Sequence, residues 1–372
     1  MSTPLEGRID IRLHRRSGAV EIVSSRPQLA QKLMAGRAPA EAADLAGLIF
    51  SLCGKAQKVA AQAACEAAQG LAPEADTQAM RGRQVLIELA QEHAWRLLLN
   101  WPQQADPALG LAPDMASLLA LRQAAADPEK FADTLARQLE AVLLGEQPQR
   151  WLARGLAEFD AWRRDRDTLP ARLFASLGEG PDPGPGASPL LPTLKTLAEA
   201  DALDLGTRAL ADVAFCARPA WQGAPAETGA LNRVASHPLL AAWVESRGRG
   251  AGARLLARLL ELAQLPARLR DGHDPAATAV VRAWRLEENV GLAGVETARG
   301  LLLHVVRLGA GKVVDYRIVA PTEWNFHPAG PLAQALANLV DQTPDADLDA
   351  RVRLVSQALD PCVAYEVELL EQ

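Results

Sequence analysis

Two short segments at opposite ends of the chain constrain its fold more than any others: Leu52-Cys53-Gly54-Lys55-Ala56 and Asp360-Pro361-Cys362-Val363-Ala364-Tyr365. Each reads as a C-x-x-C motif whose second cysteine has been replaced, by Ala56 in one case and Tyr365 in the other. Neither half completes a metal site alone, so a fold that uses both must bring Cys53 and Cys362 together. Loss of the same member from each pair points to a chain that keeps half the ligands of a metalloenzyme and has given up its reaction. The other two cysteines, Cys65 and Cys216, read as small buried hydrophobes.

Four widely spaced cysteines in 372 residues are not a secreted disulfide framework, and a reduced, cytoplasmic setting is expected. A net charge of −6 gives no global basic footprint for nucleic acid. No apolar run is long enough to span a bilayer, and the first residues show no apolar signal region. The expectation is a soluble protein with no nucleic-acid partner and no membrane insertion.

Arg8 to Leu13 alternates with period two, turns at Arg16-Ser17-Gly18 and continues in Ala19 to Val23, the pattern of a hairpin. A helix is predicted from Pro39 through Leu52, an Ala-rich one after Cys53, and a third from about Asp76 to Asn100, stopped by Pro102. Cys53 then sits at a helix junction, where backbone N–H groups favour a thiolate over a thiol. Further helices follow to residue 177. The Gly/Pro-rich stretch 178–189 is read as a flexible loop within one domain spanning 1–372. Helices resume near Leu194 and include Arg254 to Gln264. Leu301–Val306 and Val313–Val319 read as a β pair turning at Gly309-Ala310-Gly311, followed by two short helices and, after Cys362, an apolar and acidic tail. The class is α+β with helices dominating.

With these elements placed, the chain resembles the large subunit of nickel–iron hydrogenases. Leu5-Glu6-Gly7-Arg8-Ile9-Asp10-Ile11 is similar to the family's opening R-x-E-G-H-x-x-I strand, and Gly36-Arg37-Ala38-Pro39 to its G-R-x-P helix start. Ser51-Leu52-Cys53-Gly54-Lys55-Ala56 stands at R-x-C-G-x-C, and Glu92-His93-Ala94-Trp95-Arg96 at D-H-x-x-H. Glu227 to Arg233, Glu296 to His304, Val319 to Pro328 and Asp360-Pro361-Cys362 complete the series in the family's order. The departures are Ser51, Ala56, Arg96 and Tyr365, together with Glu368 where the family has a histidine; no cleavable extension is expected beyond it. This combination resembles the maturation proteins of the HupK/HoxV type.

The resemblance implies a mainly helical hydrogenase large-subunit-like fold with a small N-terminal β hairpin and C-terminal β segments. It also implies a maturation scaffold or chaperone, not an enzyme, that assembles or carries iron bearing two cyanides and one carbon monoxide. No nickel is expected, because both bridging cysteines are gone. Cys53 and Cys362 are the implied iron ligands, with Arg299, Pro321 and Thr322 facing the cyanides. Glu6 and Glu368 fall where the family has a magnesium-type site, and whether a hard cation binds there is left open. The implied partners are maturation chaperones, the iron–sulfur maturation protein and the precursor of a nickel–iron hydrogenase large subunit. Plainer readings stand beside these. Cys53 and Cys362 as packing relics would leave a degenerate structural or redox-complex subunit without the iron fragment. Arg299 could pair only with a carboxylate such as Glu296. His93 reads as a satisfied helix histidine, Trp324 as core, Asn325 as a turn residue and Asp360 as a cap.

Overall fold

A computed structural model of the chain describes residues 7–50, 52–104, 110–271, 279–340 and 342–371. β1 (Arg8–His14) and β2 (Val20–Ser24) form the hairpin, with Leu13 opposite Val20. The tail is not irregular: it forms β7 (Ala364–Leu370), which pairs parallel with β1 and gives the order β2-β1-β7. Tyr365, Val367 and Leu369 alternate onto the core, while Glu366 and Glu368 face out against Arg8 and Arg12, each at 3.3 Å. This pairing joins the two ends of the chain and sets Cys362 just before β7.

The second sheet is an antiparallel meander of β3 (Val281–Glu287), β4 (Val290–Thr297), β5 (Gly300–Gly309) and β6 (Lys312–Val319). β4 is buried along its whole length, and the helix Gly54–Gln69 lies directly on it. At Gly291 a Cβ would stand 2.1 Å from the Ala64 carbonyl oxygen and 2.4 Å from the Ala68 nitrogen. Backbone therefore touches backbone, and the helix face built from Ala60, Ala61, Ala64 and Ala68 is small because nothing larger fits. A Cβ at Gly54 would lie 2.6 Å from the Gly47 oxygen, so the residue after Cys53 must be glycine for the helix Pro39–Ile49 to pack alongside.

The helix Ala251–Arg270 is buried on nearly all sides and carries Arg254, Arg258 and Glu261 into the interior. Buried charges persist only when paired. Arg254 holds Glu227 through two bonds of 2.7 and 2.9 Å, and Glu261 binds both Arg233 and His93. The main core draws on residues from Ile9 to Leu359. A second cluster fills the space between the helix Glu199–Ala211 and the meander.

Two expectations are corrected here. The helix Ala75–Trp95 does not stop before Pro102 but passes through a π turn, Arg96–Asn100, into Trp101–Gln104. A π turn displaces the hydrogen-bond ladder, which lets a residue without an N–H follow it. The stretch 178–189, read as a flexible loop, holds no helix, as its composition dictates, and it is anchored at Asp182. Asp182 accepts bonds from the backbone nitrogens of Gly250, Gly252 and Ala253 (3.0, 2.6 and 2.7 Å) and from Trp243 Nε1 (3.1 Å). It thereby satisfies the start of the central helix. Before Asp360 there are three helices rather than two: Pro321–Asn325, Pro331–Val340 and Asp345–Leu359. Among the described residues no helix is long and apolar enough to cross a membrane.

Candidate metal centre

Cys53 occupies the position before the helix Gly54–Gln69, and one turn later Gln57 Nε2 lies 3.5 Å from its sulfur as donor. Cys362 follows the helix Asp345–Leu359, whose chain is turned by Asp360 in the left-handed region at φ +55°. Thr322 Oγ1 donates to the Cys362 sulfur at 3.1 Å and accepts from the Cys362 nitrogen at 3.4 Å. Pro321 opens the short helix that presents Thr322, its fixed φ suiting that first position. The Thr322 hydroxyl, expected to face a cyanide, thus lies against the Cys362 sulfur.

Both sulfur-bearing residues line one apolar cavity of about 350 Å³, together with Leu29, Leu33, Phe50 and Ile318. A second cavity, of about 440 Å³, is bordered by Arg96, Asn100, Trp101 and Tyr365. Leu52, Cys362 and Val363 line both, so the Cys362 edge of the site has an apolar and a polar approach.

Arg299 sits in the two-residue turn between β4 and β5, where Thr297 pairs with Gly300. Its carbonyl accepts from Asn325 Nδ2 at 3.3 Å, and the same amide bonds the Thr228 nitrogen and oxygen at 2.9 Å each. Asn325 is therefore a clamp on the turn that carries Arg299. The guanidinium donates to Glu92 at 2.7 Å and lies 3.6 Å from Asp360. It does not meet Glu296, which binds Arg233 at 3.1 Å and the Leu194 nitrogen at 2.8 Å. Burial opposes the Arg299 charge, but Asp360, Glu92, Cys362 and Cys53 together raise its pKa and keep it cationic.

Asp360 is more than a cap. Arg258 donates to it at 2.9 Å, and the Arg96 and Arg299 Nε atoms stand 2.6 and 3.6 Å away as ion-pair contacts. Burial alone would raise its carboxyl, yet Arg299, Arg258 and Arg96 reverse this and hold it well below the usual carboxylate range. Three arginines face two carboxylates, Asp360 and Glu92, around the Cys362 side of the site, while Glu88 adds a third acidic group beside Cys53.

The expectation of a thiolate at Cys53 is corrected. Burial, then the neighbouring Cys362, push the thiol up to about 12, against the opposing pull of Arg299 and Gln57. The residue itself is half-buried and lines the apolar cavity. The helix-start nitrogens that should favour a thiolate are taken: Lys55 and Ala56 donate to Glu88 at 2.7 and 2.9 Å. Burial raises Glu88 itself to about 7. A thiolate at Cys53 thus calls for a bound cation.

The remaining candidates divide cleanly. Glu6 lies outside the described residues, as does Ser51. Glu368 is half exposed on β7 and paired with Arg12, so the magnesium-type role is not supported at that residue; outward strand alternation places it there. Among the described residues no group of three or more His, Cys, Asp or Glu side chains could hold a metal ion. His93 is buried on Glu261 at 2.7 Å, Trp324 is in the second core cluster, and Cys65 and Cys216 are buried. Sequence reasoning does not single out Gln57 or Glu88, and it places Glu92 and Arg96 only within the D-H-x-x-H resemblance and Asp360 only as a cap. The i,i+4 spacing from Cys53 marks Gln57 and the departure from D-H-x-x-H marks Arg96, whereas Glu88 carries no local signal.

A family model described as nickel-dependent hydrogenase matches residues 246–368. The hydrogenase expression/formation protein HoxV of Cupriavidus necator is 36% identical, over 97% of this chain and 96% of its own. The hydrogenase expression/formation protein HupK of Rhizobium leguminosarum bv. viciae is 32% identical, over 95% and 93%. Among solved structures, an NAD+-reducing NiFe-hydrogenase in its H2-reduced state superposes with a TM-score of 0.60 at 18% identity, over 93% of each chain. The chain has the nickel–iron hydrogenase large-subunit-like α+β fold and belongs to the HupK/HoxV family of hydrogenase expression/formation proteins.

Proposed function

We propose that this protein is a hydrogenase maturation scaffold, not a hydrogenase, which holds an iron fragment with two cyanides and one carbon monoxide as cargo. The observation that carries this reading is the pair Cys53 and Cys362, from opposite ends of the chain, lining one cavity. Each sulfur has its own hydrogen-bond donor, and Arg299 acts electrostatically on both. Low-spin iron with such ligands is soft and suits thiolate sulfur. Two thiolates on that fragment make an anionic assembly, and the guanidinium groups of Arg96, Arg258 and Arg299 near Asp360 complement it. Ala56 and Tyr365 offer no sulfur to bridge a second metal, so a nickel–iron pair has no place to form. Two protein ligands hold a fragment more weakly than four, which suits release to a four-cysteine acceptor. The partners are then the precursor of a hydrogenase large subunit, the chaperones and the iron–sulfur maturation protein, and the setting is the cytoplasm.

The test is iron content after purification without oxygen from cells that contain the maturation machinery. Cys53→Ala and Cys362→Ala should each abolish retained iron with the helical content unchanged, and Arg299→Ala should lower it less. Equal iron in the double cysteine variant would overturn the assignment.

A further inference from the structure

The helix residue that directly follows Ala56 is Gln57, only 4% exposed, with its amide turned back toward Cys53. Its oxygen lies 2.8 Å from His304 Nε2, and His304 Nδ1 lies 2.7 Å from the Tyr316 hydroxyl. His304 and Tyr316 come from β5 and β6 and are 0% and 1% exposed. Burial holds the imidazole neutral, its pKa pushed down to about 3, so it carries a single N–H. Such a chain can be wired in two directions. A metal-bound thiolate offers only lone pairs, and that selects one of them: Tyr316 O–H to Nδ1, Nε2–H to the amide oxygen, amide N–H to sulfur.

We infer that Gln57 is a positioning residue for Cys53, held by His304 and Tyr316 so that its N–H donates to the Cys53 sulfur once that sulfur binds metal. It is the counterpart of the Thr322 hydroxyl on Cys362, and it stands beside the position where a bridging sulfur is missing. The inference rests on the scaffold reading only for the identity of the metal.

Two readouts test it. In protein loaded with the iron fragment, loss of an N–H donor makes sulfur the stronger electron donor. Gln57→Leu should therefore lower the carbonyl stretching frequency, with a smaller shift of the same sign for Tyr316→Phe. In metal-free protein, iodoacetamide labelling of Cys53, with Cys362 as internal reference, should slow by about tenfold in Gln57→Leu, the scale of one hydrogen bond to a charged acceptor. Gln57→Met keeps the length of the side chain but loses the donor. It should slow labelling about as much as Gln57→Leu, whereas a merely space-filling role would leave it like the unaltered protein. If no iron fragment is found, the scaffold reading fails and labelling alone decides. Unchanged Cys53 labelling in Gln57→Leu, or an unchanged carbonyl stretch in loaded protein, overturns the inference.

Discussion

Replacing Asp360 by asparagine removes the one carboxylate on which Arg96, Arg258 and Arg299 converge. Removing one partner of a buried ion pair costs about 3–5 kcal/mol, because the other charge stays buried. The structure places the expected loss at the lower end. Arg299 keeps Glu92 at 2.7 Å, and Arg96 keeps Asn100 at 2.9 Å. Arg258 is the exposed weakness: at 5% solvent exposure its other bond is to the Ala358 carbonyl at 3.3 Å. The asparagine amide oxygen can restore one neutral bond worth about 1 kcal/mol. The net destabilisation is about 3 kcal/mol, read from urea unfolding followed by tryptophan fluorescence. The sign of its pH dependence follows from the carboxyl, held below its ordinary 3.8. Its contribution is present above that value and is lost as pH falls through the lowered folded one. The gap between the two proteins should stay constant between about pH 5 and 8 and close only in acid. A loss under about 1 kcal/mol, or a gap that drifts across neutral pH, would refute the reasoning.

Gly291→Ala should destabilise by about 3 kcal/mol or more and lower the thermal midpoint, because the new methyl meets the fixed backbone at Ala64 and Ala68. A neutral result would mean that the helix does not lie on β4 at this distance. Glu88, raised from 4.5 to about 7, stabilises fully below 4.5 and loses that contribution as pH rises through 7. The stability of the unaltered protein relative to Glu88→Gln should therefore fall between these values, and a flat difference in urea titrations would contradict the burial argument. Asp182→Ala should speed hydrogen exchange at the Gly250, Gly252 and Ala253 amides, which donate to that carboxylate. Unchanged protection there would show the 178–189 stretch to be fastened by something else.

The parts of the fold legible in the sequence were those with a local period or a local break. Ile9, Ile11 and Leu13 alternate in β1, and Gly309-Ala310-Gly311 turns β5 into β6. β4 escaped notice because Gly291 and Gly294, present for close packing against Ala64 and Leu194, dilute its strand character. β7 escaped because its partner is β1, at the other end of the chain, and parallel pairing leaves no hairpin signature. At the site the same division holds. Cys53 and Cys362 were marked by their motifs, and Arg299 by its position in the family's order. Glu88 became visible only when the helix Ala75–Trp95 was laid beside the helix that begins after Cys53. A place at a helix start favours a thiolate at Cys53, but burial, then Cys362, outweigh it, and the Lys55 and Ala56 nitrogens are already given to Glu88.

The central claim is that Cys53 and Cys362 together hold an iron–cyanide–carbonyl fragment. Its most direct test is an infrared spectrum of the protein purified without oxygen from cells with the complete maturation machinery. The account predicts sharp cyanide and carbonyl stretches that vanish when both cysteines are replaced. Intact, folded protein without those bands, or bands that survive in the double variant, would contradict it.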